Sequence, residues 1–306
     1  MKARYISLQS LLPWPQGRRP IDWKNCFERK ASLEVEIGFG NGEHLVRLAQ
    51  KCPNRNFVGI EASWESVQRA LRRTAQARIF NVRLILVDAR TAFDRLFKEK
   101  SIDRIYALYP CPWPKKRHVK HRLFSNAFLK VLNSRLVKNG EIQIVTDQKP
   151  YVEWLKEQIQ KTGLQMKWGS APARFDTKYE RKWQTQGQQD FFEIILRKEK
   201  HIPIPTKEDI SLKTYRLKKF NSERFQPKEV RGKITIQFKE FLYDPQRKKG
   251  MIRAVVVEEN LLQNLWIEIA PEAKGWRIRP ASGCSMIPTL GVQRALDAIY
   301  QAATVP

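Results

Sequence analysis

Short apolar runs alternate with amphipathic stretches from residue 31 to residue 197. Leu33-Glu34-Val35-Glu36-Ile37 reads as a strand that meets the glycines of Gly38-Phe39-Gly40-Asn41-Gly42. The next stretch puts Leu45, Val46, Leu48 and Ala49 on one face of a predicted helix. Asn56 to Glu61 reads as a second strand, and residues 63–76 as a helix capped by Ser63. Val82 to Val87 is a third strand ending at Asp88, and Ile102 to Leu108 a fourth ending at Tyr109-Pro110. Residues 122–137 carry a helical pattern that Asn139-Gly140 closes, and Glu141 to Thr146 is a fifth strand ending at Asp147. Residues 150–161 form another predicted helix, stopped by Gly163, before two last strands at Leu164 to Trp168 and Asp190 to Arg197. Strands alternating with helices at this spacing predict an α/β fold: a doubly wound, seven-stranded, mostly parallel sheet. In such sheets ligands sit beyond the carboxyl ends of the strands, where the strand order reverses.

The pattern changes near Lys198. His201-Ile202-Pro203-Ile204-Pro205 reads as a linker, because proline cannot sit inside a sheet. A basic stretch from Lys213 to Phe220 follows, then strand-like runs at Lys233–Leu242, Ile252–Val257, Leu265–Ile269 and Trp276–Ile278, with a helix at Arg294–Ala303. The expected organisation is an N-terminal segment (1–32), a main domain (33–200) and a smaller C-terminal α+β domain (201–306).

Composition adds a partner. Among 306 residues, Lys and Arg number 57 and Asp and Glu 31, a formal net charge of +26. A surface so basic repels itself unless an anion neutralises it, and nucleic acid is the leading candidate. The plainer alternative is a solubility surface with ion-pair networks. No apolar run is long enough to span a membrane, and Leu11-Leu12-Pro13-Trp14-Pro15 is too broken for a signal-peptide core. The four cysteines form no CxxC pair, which argues against a zinc ribbon or disulfide framework. A reducing, cytoplasmic setting is therefore expected.

The candidate chemistry gathers at strand ends. Glycines at 38 and 40 let backbone approach a ligand where a side chain would clash, although a tight turn alone also accounts for them. The spacing is G-x-G-x-G, not the G-x-G-x-x-G of dinucleotide enzymes. Glu61 at the second strand end is suited to ribose hydroxyls, and Asp88 at the third to an adenine amino group. With Glu36, three strand-tip acids outline a nucleoside pocket. The arrangement resembles the class I, Rossmann-like S-adenosylmethionine-dependent methyltransferases, whose cofactor carries no phosphate.

The segment after the fourth strand is Tyr109-Pro110-Cys111-Pro112-Trp113-Pro114-Lys115-Lys116-Arg117-His118. Basic side chains beside an aromatic suit phosphates and a stacked base. His118 and His121 sit among so many cations that a metal site is rejected. This loop resembles the signature of the tRNA (guanine-N7-)-methyltransferase family. Thr177-Lys178-Tyr179-Glu180 resembles that family's T-K-[FY]-E motif, and Thr146-Asp147 its T-D. The resemblance runs from Leu33 to Arg197. It implies an enzyme that methylates N7 of the tRNA variable-loop guanosine (position 46), with S-adenosylmethionine as cofactor and tRNA as partner, working as a monomer or homodimer.

Carried over, Glu36, Gly38, Gly40, Glu61 and Asp88 bind the cofactor, and Lys115, Asp147, Thr177, Lys178, Tyr179 and Glu180 bind the substrate. One position departs: Cys111 stands where the family usually has an aspartate assigned as catalytic. Cys111 then reads as a weak polar wall, as a thiolate favoured by Lys115, Lys116 and Arg117, or as the mark of an RNA-binding protein without turnover. The carboxylates that remain as catalytic candidates are Asp147 and Glu180. Lys213, Arg216, Lys218 and Lys219, with Tyr215 and Phe220, form a candidate RNA contact in the C-terminal domain, with a purely buttressing domain as the alternative.

Overall fold

A computed structural model describes residues 5–185, 187 and 190–304. It divides into two compact units, one built on residues 18–207 with the segment up to Trp14, the other on residues from 208 onward with Pro15–Gly17.

In the first unit the order is α1 (Trp23–Phe27), β1 (Leu33–Ile37), α2 (Glu43–Lys51), β2 (Asn56–Glu61), α3 (Trp64–Ala77), β3 (Val82–Leu86), α4 (Ala89–Arg95) and β4 (Ile102–Leu108). It continues through α5 (Asn126–Arg135), β5 (Leu136–Thr146), α6 (Lys149–Gln158), β6 (Leu164–Ala171), α7 (Lys178–Thr185) and β7 (Phe191–Lys198). The strands hydrogen-bond in the order β3-β2-β1-β4-β5-β7-β6. All neighbours are parallel except β7, which runs against β5 and β6. Strands covered by helices on both faces need apolar side chains in both directions, and the runs supply them. Val35, Val58, Ile60, Leu84, Ile85, Ile105, Ile142 and Ile144 are buried. The order reverses between β1 and β4, so the segments leaving those two strands flank the ligand position for this topology.

Helix starts follow their caps. The Ser63 hydroxyl accepts the Ser66 amide at the head of α3, as the sequence predicts. The Asp88 carboxylate accepts the amides of Arg90 and Thr91 and starts α4, a helix the apolar pattern alone had not indicated. The helix predicted over residues 122–137 is shorter. It ends at Arg135, whose fully buried guanidinium donates to the carbonyls of Phe93 and Ile204. Asn139-Gly140 does not close that helix. It lies inside β5, where Asn139 takes a left-handed φ of 61° and the pairing with β4 shifts register. An Asn-Gly pair marks a kink in a strand as readily as a helix end.

The second unit is an antiparallel sheet with one helix. It contains β8 (Tyr215–Leu217), β9 (Ile234–Asp244), β10 (Lys249–Glu258), β11 (Leu261–Glu272), β12 (Gly275–Pro280) and α8 (Leu290–Thr304), in the strand order β8-β12-β11-β10-β9. Ile236, Ile252, Ala254, Val256, Ile267, Ile269 and Ile278 line one sheet face and form a core with Val292, Leu296 and Ile299 of α8. Two side chains read as RNA contacts are packed instead. Tyr215 stacks on Tyr300 at 4.2 Å and donates to Asp297, and Phe220 joins a cluster with Phe225, Phe241 and Trp276. A short strand within a basic stretch alternates faces, so its aromatic points into the core while Arg216 points out. Among the described residues no helix is long and apolar enough to cross a membrane.

Candidate active site

A cleft opens at the carboxyl ends of β1 and β4. Its space, mouth included, is about 720 Å³, and its walls include Glu36, Gly38, Gly40, His44, Tyr109 and Thr177. Lys178 and Tyr179 line it as well. Gly38 and Gly40 hold φ values of 68° and 57°, a region open to glycine at little cost. A Cβ at either position meets nothing within 4 Å, so the bend presents bare backbone to open space.

Acidic side chains brace this bend. One Glu61 oxygen accepts the Gly40 amide at 3.0 Å, and the other accepts the amides of Ala62 and Ser63 at 2.9 and 3.1 Å. The end of β2 is thereby tied to the loop after β1, with acceptor capacity left on the oxygen that holds Gly40. Glu36 is buried, and its carboxylate lies 2.8 Å from His44 Nδ1 on α2. The His44 ring meets Tyr106 and Phe175 edge-on. Open backbone, an oriented carboxylate at the second strand end and a buried one at the first fit a nucleoside with free ribose hydroxyls. Asp88 is a helix cap through Oδ1. Glu61 and Asp88 are not in the cleft wall itself.

The motif Thr177-Lys178-Tyr179-Glu180 is a capping box at the head of α7. The Glu180 amide donates to Thr177 Oγ1, and the Thr177 amide donates to Glu180 Oε2, both at 3.2 Å. The other Glu180 oxygen accepts the amides of Arg174 and Phe175 and the Tyr109 hydroxyl, the last at 2.6 Å. Glu180 is 1% exposed. Its carboxylate is thus spent on the turn and on Tyr109, while Lys178 and Tyr179 beside it stay exposed. Burial, and after it the carboxylates of Glu180 and Asp147, push the Tyr109 phenol well above its usual range, so it stays a neutral donor. Arg47 reaches from α2 to the Phe175 carbonyl. Arg181 pairs with Asp176 and Glu43 at 2.7 and 2.8 Å, clamping the 174–181 turn to α2.

The segment after β4 is held from below. Arg122 is buried; its Nε donates to the Pro112 carbonyl at 2.8 Å and its guanidinium lies over Tyr151 and Trp154. His118 and His121 flank Trp113 at ring distances of 5.6 and 5.4 Å, so they pack the loop. Cys111 and Lys115 are exposed, and Asp147 accepts from the Gln148 amide group at 2.7 Å. These three lie outside the cleft wall. The structure therefore brings Glu36, Gly38, Gly40, Thr177, Lys178 and Tyr179 to one cleft, with Glu61 and Glu180 bonded into its walls. His44, Arg47 and Arg181 escaped the sequence reading, and Tyr109 was read there only as a strand end, because their partners are remote in the chain. Only the T-x-x-E spacing of the capping box was visible locally.

A glycine bend at the β1/β4 switch point of a 3-2-1-4-5-7-6 sheet, braced by the acid that ends the neighbouring second strand, is the arrangement of a Rossmann-like methyltransferase, and a family model described as "Putative methyltransferase" matches residues 30–193. The chain is 42% identical over 181 residues to a tRNA (guanine-N(7)-)-methyltransferase of Chlorobium phaeobacteroides, covering 59% of this chain and 89% of that protein. It is 30% identical over 292 residues to the Aquifex aeolicus protein of the same name, covering 93% and 96%. A third, from Thermus thermophilus, is 32% identical over 273 residues, with 87% and 86% covered. The chain belongs to the tRNA (guanine-N(7)-)-methyltransferase family. The Aquifex match extends through most of the second unit's length, so that unit is shared with at least one relative.

Proposed function

We propose that this chain transfers the methyl group of S-adenosylmethionine to N7 of a tRNA guanosine, the variable-loop guanosine at position 46. The observation that carries the reading is that Lys178 and Tyr179, of the T-K-Y-E turn, line the same cleft as Gly38 and Gly40. When bound, the sulfonium supplies an already activated methyl. Guanine N7 has a free lone pair at neutral pH, so no side chain must first remove a proton. The protein's task is to hold two reactants in line.

Glu61 receives the ribose hydroxyls, Glu36 borders the cofactor beside His44, and Asp88 receives the adenine amino group with the oxygen not used in capping α4. Lys115, Lys178 and the exposed Tyr179 ring hold RNA at the rim, through phosphate and stacking contacts. Methylation puts positive charge on the purine and acidifies its N1–H, which favours a nearby carboxylate. Asp147 takes that role. Glu180 acts on the turn that presents Thr177 to Tyr179. Cys111 is a weakly polar wall, so the rate rests on positioning.

The test is methyl-tritiated S-adenosylmethionine with an unmodified tRNA transcript. Counts should enter the RNA with the wild type and fall at least about tenfold with Glu61→Gln, through weaker cofactor binding. A folded wild type that binds tRNA and transfers nothing would refute the reading and leave a binding protein.

A further inference from the structure

The second unit carries a sheet face that the enzyme reading does not use. Side chains alternate across a sheet, so the face opposite α8 is fixed by register. Ile252, Ile267, Ile269 and Ile278 point to the core, which puts Arg253, Trp266, Glu268, Arg277 and Arg279 on the other side. Arg253 stands directly across from Trp266, and Arg277 across from Arg216. Leu242 and Leu262, at 59% and 62% exposure, border the same face.

The charges on this face do not cancel. Glu268, 3% exposed, is shared by Lys249 and Arg279, and Glu272 is shared by Arg216 and Arg277. Glu240 pairs with Arg253 across a β-bulge. In these pairs five cations face three carboxylates. Arg253 and Arg277 are each one-third exposed, so the guanidinium N–H groups left at their surface are within reach of a phosphate oxygen. Trp266 is half-buried among these arginines, an arrangement that suits RNA, whose unpaired bases stack on such rings while cations take the backbone.

We propose that this face of the second unit, centred on Arg253 and Trp266 with Arg216 and Arg277, is a docking surface for the phosphate backbone and an unstacked base of RNA. It rests on the reading of tRNA as substrate and adds an RNA contact outside the methyl-transfer cleft.

The full chain tests it with a fluorescent tRNA transcript across a salt series. Arg216→Gln, Arg253→Gln and Arg277→Gln are combined. Their partners Glu272 and Glu240 are 31% and 52% exposed and stay solvated. Arg279 is left alone, because its loss would strand the buried Glu268. The triple variant should bind tRNA roughly tenfold more weakly at moderate salt, with a log–log salt slope lower by about 2, near 0.7 per lost contact. S-adenosylmethionine affinity should not change. Ultraviolet cross-linking of wild type to the transcript should attach a nucleotide to Trp266, a readout that does not depend on the variant folding. Unchanged affinity and slope in a folded triple variant, or no cross-link at Trp266 under conditions where wild type methylates the transcript, overturns the docking surface and leaves the enzyme reading standing. A wild type that does not bind the transcript overturns both.

Discussion

Replacing Glu180 with glutamine separates two roles for the T-K-Y-E glutamate. The carboxylate accepts from Tyr109, Arg174, Phe175 and Thr177 and is 1% exposed. In Glu180→Gln one oxygen keeps its three donors, but an amide NH₂ now faces the Thr177 amide. Charge-assisted bonds become neutral ones, one is lost, and a helix N-terminus loses its negative charge. The combined cost is about 2–4 kcal/mol. If unfolding is global, that lowers the melting temperature by roughly 5–15 °C for a unit of this size. If only the turn opens, the loss appears as faster amide exchange over residues 173–185. Differential scanning fluorimetry and hydrogen-exchange mass spectrometry read the two cases. Methyl transfer should fall in step with the loss of protection, through a higher KM for tRNA. The reasoning fails if Glu180→Gln keeps both its melting temperature and its protection yet loses kcat, since the carboxylate would then serve the reaction directly.

The remaining expectations are simpler to state. Cys111→Asp should raise kcat several-fold without altering tRNA affinity, because a carboxylate stabilises the purine's developing charge; an inactive Cys111→Asp would contradict this, as single-turnover methylation would show. Gly40→Ala should weaken S-adenosylmethionine binding at least about tenfold, from a left-handed φ that costs roughly 1–2 kcal/mol and a methyl aimed into the cleft; calorimetry reads it, and unchanged affinity counts against the bend. Arg122→Ala should free the 110–115 loop and reduce kcat/KM for tRNA more than it reduces cofactor affinity, as steady-state kinetics can separate. Lys198 is buried, and desolvation lowers its ammonium from 10.5 to about 8. The unfolded chain keeps that proton to higher pH, so its contribution to stability rises with pH between about 8 and 10. Lys198→Met should flatten that rise in denaturant titrations, and an unchanged slope would refute the assignment.

The parallel sheet was legible because strands buried on both faces appear as short, largely apolar runs, as in Phe57-Val58-Gly59-Ile60 of β2. Boundaries failed where one residue type serves two purposes. Asp88 drew notice as a strand-tip acid and so concealed α4, the helix it caps. Asn139-Gly140 supplied a stop signal that the strand used as a kink. The candidate site was half legible. Glycines and acids at strand ends follow from topology, which periodicity gives. His44 against Glu36, Arg181 against Glu43 and Tyr109 against Glu180 join segments far apart in sequence, and no local pattern encodes such pairs. Tyr215 and Phe220 show the same limit in reverse: basic neighbours suggested RNA, and the alternation of a three-residue strand turned Tyr215 inward.

The central claim is the atom that receives the methyl group. N7-methylation leaves the purine open to borohydride reduction, after which aniline cleaves the chain at that nucleotide. Unmodified tRNA treated with this protein and S-adenosylmethionine, then reduced and cleaved, should give one new scission at the variable-loop guanosine, with N7-methylguanosine in the nucleoside digest. Methyl groups found in the RNA with no scission there, or scission only at another guanosine, would contradict the account.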